Sequence, residues 1–286
     1  MKILAIGDFQ GVFPKKLKEK LRREKFDLII GVGDYTGLAE WRPFIMKQLS
    51  LAKKGFQISG EEYFGKKKYG ILLKKDFQAG KNILKEINKI GKKAIIVFGN
   101  SDWYRYPFEK WDRQKGYDEF VKKLKNLNNI TYGKTKYLGI NYIGFGGYMD
   151  IDSYYNKKEW KENDQQRHMA RIFRRTKSKR RLLENLKKTK GERIFVFHYP
   201  PQGVFDIIKG GKDNPMNGKS AGIGFFSEAI KKYKPKLIVC GHMHEYQGVK
   251  RIYGVPVINP GDAEKGKYAI IEIDKNNKLV GVKFIN

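Results

Sequence analysis

The chain has 286 residues with 40% hydrophobic residues, nine prolines and a formal net charge of +30, a balance that gives it a substantial core and excludes disorder throughout. A single cysteine, Cys240, excludes an intrachain disulfide framework, and within the apolar run KLIVCGH it reads as a small buried hydrophobe with no catalytic role. No apolar run reaches the length of a membrane span, and the N-terminus lacks a secretory pattern, so a cytoplasmic location is expected.

The first apolar run, KILAI, ends abruptly in Gly7 and Asp8, with Gln10 two residues on. This reads as a buried strand that delivers a carboxylate to the end of a sheet. Further aliphatic, β-branched runs follow in DLIIGVGD, KAIIVFGN, NYIGFGG, RIFVFHYP, KLIVCGHMH, VPVINPGD, YAIIEID and VGVKFIN. Between the early runs lie PKKLKEKLRREK, QAGKNILKEINKIG and YDEFVKKLKNL, which carry apolar residues at helical spacing. Strand and helix therefore alternate in the first half, as in an α/β layer. From about residue 129, NITYGKTKYLGINYIGFGG predicts an antiparallel hairpin, and the closely spaced C-terminal strands imply a second sheet.

Two segments fit the alternation poorly. Residues 40–76 are rich in Gly, Lys and aromatics, and residues 150–190 carry a basic run; both read as insertions over one face of a single domain, 1–286. From Asn156 to Lys190 there are fourteen Lys or Arg against four Asp or Glu. Such a run is either a solvated helical surface or a patch for nucleic acid or a nucleotide, and composition does not choose between them.

The ends of the strands carry the chemistry. Asp8, Asp34, Asn100 with Asp102, His198, and His242 with His244 each follow an apolar run, so three of the chain's four histidines stand at strand ends. In open α/β sheets such ends gather at one crevice. Carboxylates, an amide and imidazoles brought together form a mixed N/O ligand set suited to Mn, Fe, Zn or Ni.

The ordered blocks GDFQG, GVGDYTG, FGNSD, FHYPP and CGHMHE, closed by VINPGD, resemble the signature blocks of the calcineurin-like metallophosphoesterase superfamily and span residues 8 to 262. The resemblance implies a four-layer α/β/β/α sandwich of two mixed sheets flanked by helices, with two divalent metal ions at the strand ends, Mn being the first expectation. By position, Asp8 and His244 would bind one metal, Asp34 would bridge both, and Asn100, His198 and His242 would bind the other, with Asp34, Asn100 and His198 as the catalytic set. Two cations about 3.5 to 4 Å apart can hold a phosphoryl group, lower the pKa of a shared water and stabilise an in-line displacement.

Two departures from the family pattern matter. Gln10 stands where members commonly have a His ligand; its carbonyl oxygen is a harder, weaker ligand, and the alternative is a loop residue outside the ligand set. Ser101 stands where many members carry the His that helps the departing group, and serine is no general acid near neutral pH. Asp102 then has no imidazole to orient, and it pairs with Arg105 or caps a turn. The Gly-rich loop from Gly210 to Gly224 is expected to form a rim, with Asn217, Lys219 and Ser220 as phosphate contacts; Ser101, Asp102 and Arg105 complete the candidate substrate set. His168 reads as an exposed helical histidine rather than a substitute acid. Trp103 and Tyr104 either stack on a base beside the metals or pack the core.

The expected activity is hydrolysis of a phosphoester, with diesters favoured by the missing acid, through a hydroxide activated by two metals. The alternatives are a nucleic-acid-binding protein with an impaired site and a phosphoprotein phosphatase. The oligomeric state is left open.

Overall fold

The computed structural model describes residues 1–52, 56–104, 116–149, 165–212 and 214–286, and for residues 165–168 the backbone alone. Two six-stranded mixed sheets face each other, with helices on both outer sides. In the first sheet β1 (Lys2–Ile6), β2 (Leu28–Gly31), β3 (Ala94–Ile96) and β4 (Leu127–Asn129) run parallel, and β11 (Tyr268–Ile273) and β12 (Leu279–Ile285) extend it antiparallel beyond β1. In the second, β6 (Ile140–Phe145), β7 (Arg193–Phe197), β8 (Leu237–Val239) and β10 (Val255–Asn259) run parallel, with β5 (Lys134–Tyr137) and β9 (Gly248–Ile252) as antiparallel edges.

The two-residue alternation of side chains explains the layers. Ile3 and Ala5 of β1, Leu28 and Ile30 of β2, Ile194 and Val196 of β7, and Leu237 and Val239 of β8 fill the core between the sheets. Their neighbours Leu4, Ile6 and Ile29 turn outward against Leu17 and Leu21 of α1 (Lys15–Arg23) and Ile83, Leu84 and Ile87 of α4 (Lys66–Lys89), with the short α5 (Tyr117–Val121) in the same outer layer. On the far side Phe195, Phe197 and Ile238 meet Phe226 and Ile230 of α7 (Gly224–Tyr233) and Leu182 and Leu186 of α6 (Gln165–Lys187). Strands covered on both faces need continuous apolar runs, which is why these segments read as they do.

The hairpin expected after residue 129 forms between β5 and β6. The C-terminal strands divide differently from the expectation. β9 and β10 join the second sheet, while β11 crosses back to pair with β1 in the first, its Ala269 and Ile271 entering the core between the sheets. The basic segment is helical from Gln165, and its C-terminal half is anchored in the outer layer by Leu182 and Leu186. Residues 39–64 carry a short helical turn followed by α2 (Arg42–Ala52) and α3 (Gly60–Phe64).

Candidate metal centre

Each sequence-predicted ligand leaves the end of a strand, and backbone hydrogen bonds draw those ends together. The Asp8 and Phe9 amides donate to the Gly33 and Asp34 carbonyls at 2.8 Å each, and the Gly241 amide donates to the His198 carbonyl at 2.9 Å. The sheets are joined at the same end by the Gly147 amide, which donates to the Phe98 carbonyl at 2.6 Å. Asp8, Gln10, Asp34 and His242 all adopt left-handed backbone conformations, with φ of 54°, 48°, 52° and 69°. For residues with a Cβ this costs about 1–3 kcal/mol each and persists where surrounding contacts over-determine it, commonly at functional sites. Gly99 answers to close approach: a Cβ there would lie 2.1 Å from Asp34 Oδ1.

The donor atoms converge. Asp8, Asp34 and His198 are buried and offer ligand atoms within 4.8 Å of one another. Asn100 Oδ1 lies 2.9 Å from His198 Nε2 and 2.7 Å from His242 Nδ1. His198 Nε2 is 3.5 Å from Asp34 Oδ1, and His244 Nε2 is 3.5 Å from Asp8 Oδ1. His198 Nδ1 sits 2.8 Å from the Val32 carbonyl oxygen. A carbonyl only accepts, so Nδ1 carries the proton and Nε2 presents a lone pair toward the Asn100 and Asp34 oxygens. Lone pairs facing one another across a buried space fit a cation placed among them.

Charge gives the same reading. Burial raises the Asp34 carboxyl above its ordinary range; His198 opposes this and the Asp8 carboxylate adds to it. Burial, followed by the imidazoles of His198 and His244, holds His242 well below the usual imidazole range, so it is neutral and able to ligate. His244 is raised to about 9; burial works against its charge, but the hydrogen bond and charge of Asp8 outweigh it. Two buried carboxylates beside the neutral His242 imidazole and the Asn100 amide form a site whose charge a divalent cation balances, displacing the proton that Asp8 otherwise holds on His244. The residues present therefore fit a divalent metal.

Gln10 is brought into this cluster. Its Nε2 lies 3.3 Å from Asp34 Oδ2 and 3.5 Å from His244 Nε2, while its Oε1 faces Gly37, whose added Cβ would lie 2.9 Å from that oxygen. Ser101 also faces the centre: its amide donates to Asp34 Oδ1 at 2.9 Å and its hydroxyl to Asp34 Oδ2 at 3.2 Å.

The remaining substrate candidates are placed differently. The Asp102 carboxylate is buried and accepts the amides of Tyr35, Thr36 and Gly99 at 2.8, 3.2 and 2.7 Å. It ties the loop after β2 to the loop after β3, which is the turn-capping role rather than a substrate contact. Asn217 Oδ1 accepts the Gly210 amide at 3.0 Å and closes its own loop. From that loop it is Met216, and neither Asn217 nor Lys219, that lines the cavity beside the centre. Ser220 Oγ donates to Asp206 Oδ2 at 2.5 Å. Arg105 and the side chain of His168 lie outside the described residues. Trp103 packs on Phe77 with ring centroids 5.0 Å apart, and Tyr104 packs between Phe98 and Tyr132 at 5.1 and 6.0 Å, so both aromatics serve the core.

Sequence reasoning missed three supports. Asp76 of α4 is buried and accepts the Gly37 and Leu38 amides at 3.2 and 3.1 Å and the Trp103 indole N–H at 3.1 Å. Its signal was an acid on the apolar stripe Leu72, Asp76, Gly80, Ile83. Tyr199 is buried with its ring 4.3 Å from that of His242. Asn259 donates to the Met243 carbonyl at 3.3 Å and accepts the Gly261 amide at 2.9 Å, fixing the histidine loop to the end of β10.

Two facing sheets thus bring carboxylates, an amide and imidazoles together at their strand ends, a set able to bind divalent metal. The sequence profile described as metallophosphoesterase, calcineurin superfamily, matches residues 1–282, and the chain belongs to that superfamily. One solved structure superposes with a TM-score of 0.63 at 19% identity, covering 99% of this chain and 98% of that one. The protein TT1561 of Thermus thermophilus superposes with a TM-score of 0.54 at 15% identity, covering 100% and 98%. At these identities the likeness is one of fold. Purple acid phosphatase PPD1 from yellow lupin seeds is more distant, with a TM-score of 0.45 at 12% identity, covering 99% of this chain and 47% of that one. A search of curated proteins found no match.

Proposed function

We propose that the protein is a phosphodiesterase that works with two divalent cations, Mn first among them and Fe, Zn and Ni as alternatives. Asp8 and His244 would hold one cation, joined by Gln10 once its amide turns Oε1 inward in place of Nε2; Asn100, His198 and His242 would hold the other, and Asp34 both. The observation that carries the reading is the meeting of Asn100 Oδ1 with His198 Nε2 and His242 Nδ1 at 2.9 and 2.7 Å, beside two buried carboxylates. Bound divalent cations supply Lewis-acid polarisation of the phosphoryl oxygens and a nucleophilic water at neutral pH.

The chain's own residues set the rest. Val32 fixes the His198 tautomer through its carbonyl, and the Ser101 amide and hydroxyl hold both oxygens of Asp34 in place. Asn100 contributes a neutral oxygen, which limits negative charge around an anionic substrate. Ser101 cannot protonate a departing alkoxide near neutral pH, which favours esters whose leaving group is already good. The test is metal analysis of the purified protein coupled to hydrolysis of bis(p-nitrophenyl) phosphate and p-nitrophenyl phosphate with and without Mn. Metal-dependent turnover with the diester preferred is expected; a metal-loaded protein that hydrolyses neither ester overturns the reading.

A further inference from the structure

Beside the metal centre opens a cavity of about 510 Å³, within the range of small-molecule sites. Asn100, Ser101 and His242 form the wall nearest the metal centre. The rest of the lining is mostly apolar: Trp41 and, from α2, Phe44, Ile45, Leu49 and Ala52 with the single polar Gln48, joined by Tyr148, Met149, Tyr199 and Met216; Gly37 and the Asp76 carboxylate also reach it. Among the described residues, no Lys or Arg lines it, although the chain carries 60 of them. A phosphate polyanion finds no partner in such a wall.

The register of α2 shows that this wall is built. Residues 45, 48, 49 and 52 repeat at helical spacing, so they share one face of the helix, and that face lines the cavity. Aromatics anchor the edge of this face: Phe44 lies 5.5 Å from Tyr63 and 5.7 Å from Phe64, and Trp41 lies 5.5 Å from Phe64 and 6.0 Å from Tyr69. No residue of α2 is buried, and Ile45 is 42% exposed. The apolar face of α2, held by this aromatic cluster and with Leu49 packed against the outer core of the second sheet, opens on the cavity that reaches Asn100, Ser101 and His242.

We infer that this cavity takes an apolar alkyl ester group that stays on the phosphorus while the other, better leaving group departs, so that the phosphoesters recognised carry a long alkyl chain rather than belonging to nucleic acid. The inference rests on the phosphoesterase reading only for the placement of the phosphate.

Calorimetric dissociation constants for methyl, butyl and octyl phosphate with the full chain in Mn, below the concentration at which octyl phosphate aggregates, test it. Complete burial of a methylene is worth about fourfold in affinity, so partial burial of the last four carbons makes octyl phosphate at least about tenfold tighter than butyl phosphate. Leu49→Asp, and Ile45→Asp at a position already partly in solvent, should bring that ratio close to one; circular dichroism checks that each variant is folded. Equal affinity along the series in the wild type overturns the inference, as does an unchanged ratio in both folded variants. It is also overturned if the wild type is a dimer by light scattering that Ile45→Asp dissociates, because the face then belongs to a second copy. Hydrolysis of bis(p-nitrophenyl) phosphate, run in parallel, keeps the two readings apart. Turnover with a flat series sinks the cavity assignment alone, whereas a steep series without turnover upholds it and sinks the phosphoesterase.

Discussion

Asp34 and His198 are the residues whose loss should separate chemistry from folding. Asp34 bridges the centre in the proposed arrangement, with its oxygens held by Ser101, and His198 points a lone pair at the same space. Replacing a residue behind a metal ligand commonly costs 10–100-fold, so Asp34→Asn and His198→Ala are expected to lower kcat/KM by more than about 100-fold. Asp34→Asn should not lower Tm in proportion, because removing a buried carboxylate that burial disfavours relieves a charge. Near-full metal-dependent activity in Asp34→Asn would remove it as the bridge. Gln10→His places an imidazole beside Asp34 and His244. It should tighten metal binding and shift preference toward softer metals such as Zn, read by calorimetric titration; unchanged affinity and stoichiometry would show that Gln10 is no ligand.

At the level of elements, α4 is more than a covering helix. Asp76 binds two backbone amides of the loop that carries Asp34 and the indole of Trp103 from the loop that carries Asn100. Asp76→Ala leaves those donors without their acceptor, at about 1–3 kcal/mol for a buried donor. It is expected to lower Tm by several degrees and kcat together with it. Asp76→Asn keeps one acceptor oxygen and should fall between the two. A Tm loss in Asp76→Ala without any loss of kcat, by thermal denaturation and steady-state kinetics, would mean that α4 supports the fold and not the site.

For the whole molecule, the +30 charge and the metal centre make separate predictions. The basic helix is partly engaged within the fold: Arg171 is buried, Lys179 pairs with Glu228 at 2.5 Å, Arg180 pairs with Glu184 at 3.0 Å, and Arg181 Nε donates to the Tyr132 carbonyl at 3.2 Å. Reversing all of them would disturb structure as well as charge, so Lys187→Glu with Lys188→Glu, both exposed, is the cleaner probe. If this face binds nucleic acid, the slope of log affinity against log salt flattens by about 0.9 for each phosphate that is no longer neutralised; an unaltered slope removes that reading. A metal that binds only the folded state stabilises it by about 2.7 kcal/mol at 100 times its dissociation constant. Mn should therefore raise Tm and a chelator should reverse the gain; an unmoved Tm together with no bound metal would contradict the ligand set.

The layers and the ligands are legible in the order of residues alone. Runs covered on both faces must be apolar throughout, so β1, β2, β3, β7 and β8 stand out, and the polar residue that ends each run marks a strand end whatever the strand order. Folding brings out what distance along the chain conceals. β11 pairs with β1 from the other end of the chain, a choice between two sheets that equally apolar strands do not encode locally. Asp102 reads as a loop acid, and only the approach of the Tyr35 and Thr36 amides from another strand shows that it holds two loops together. Asp76 sits in a helix whose pattern gives no partner, because its donors come from loops on two other strands. In sequence α2 lies within a segment that reads only as an insertion rich in Gly, Lys and aromatics. Its meaning depends on which face the aromatic cluster occupies and which remains open beside His242, and that is fixed by three-dimensional contacts rather than by hydrophobic periodicity.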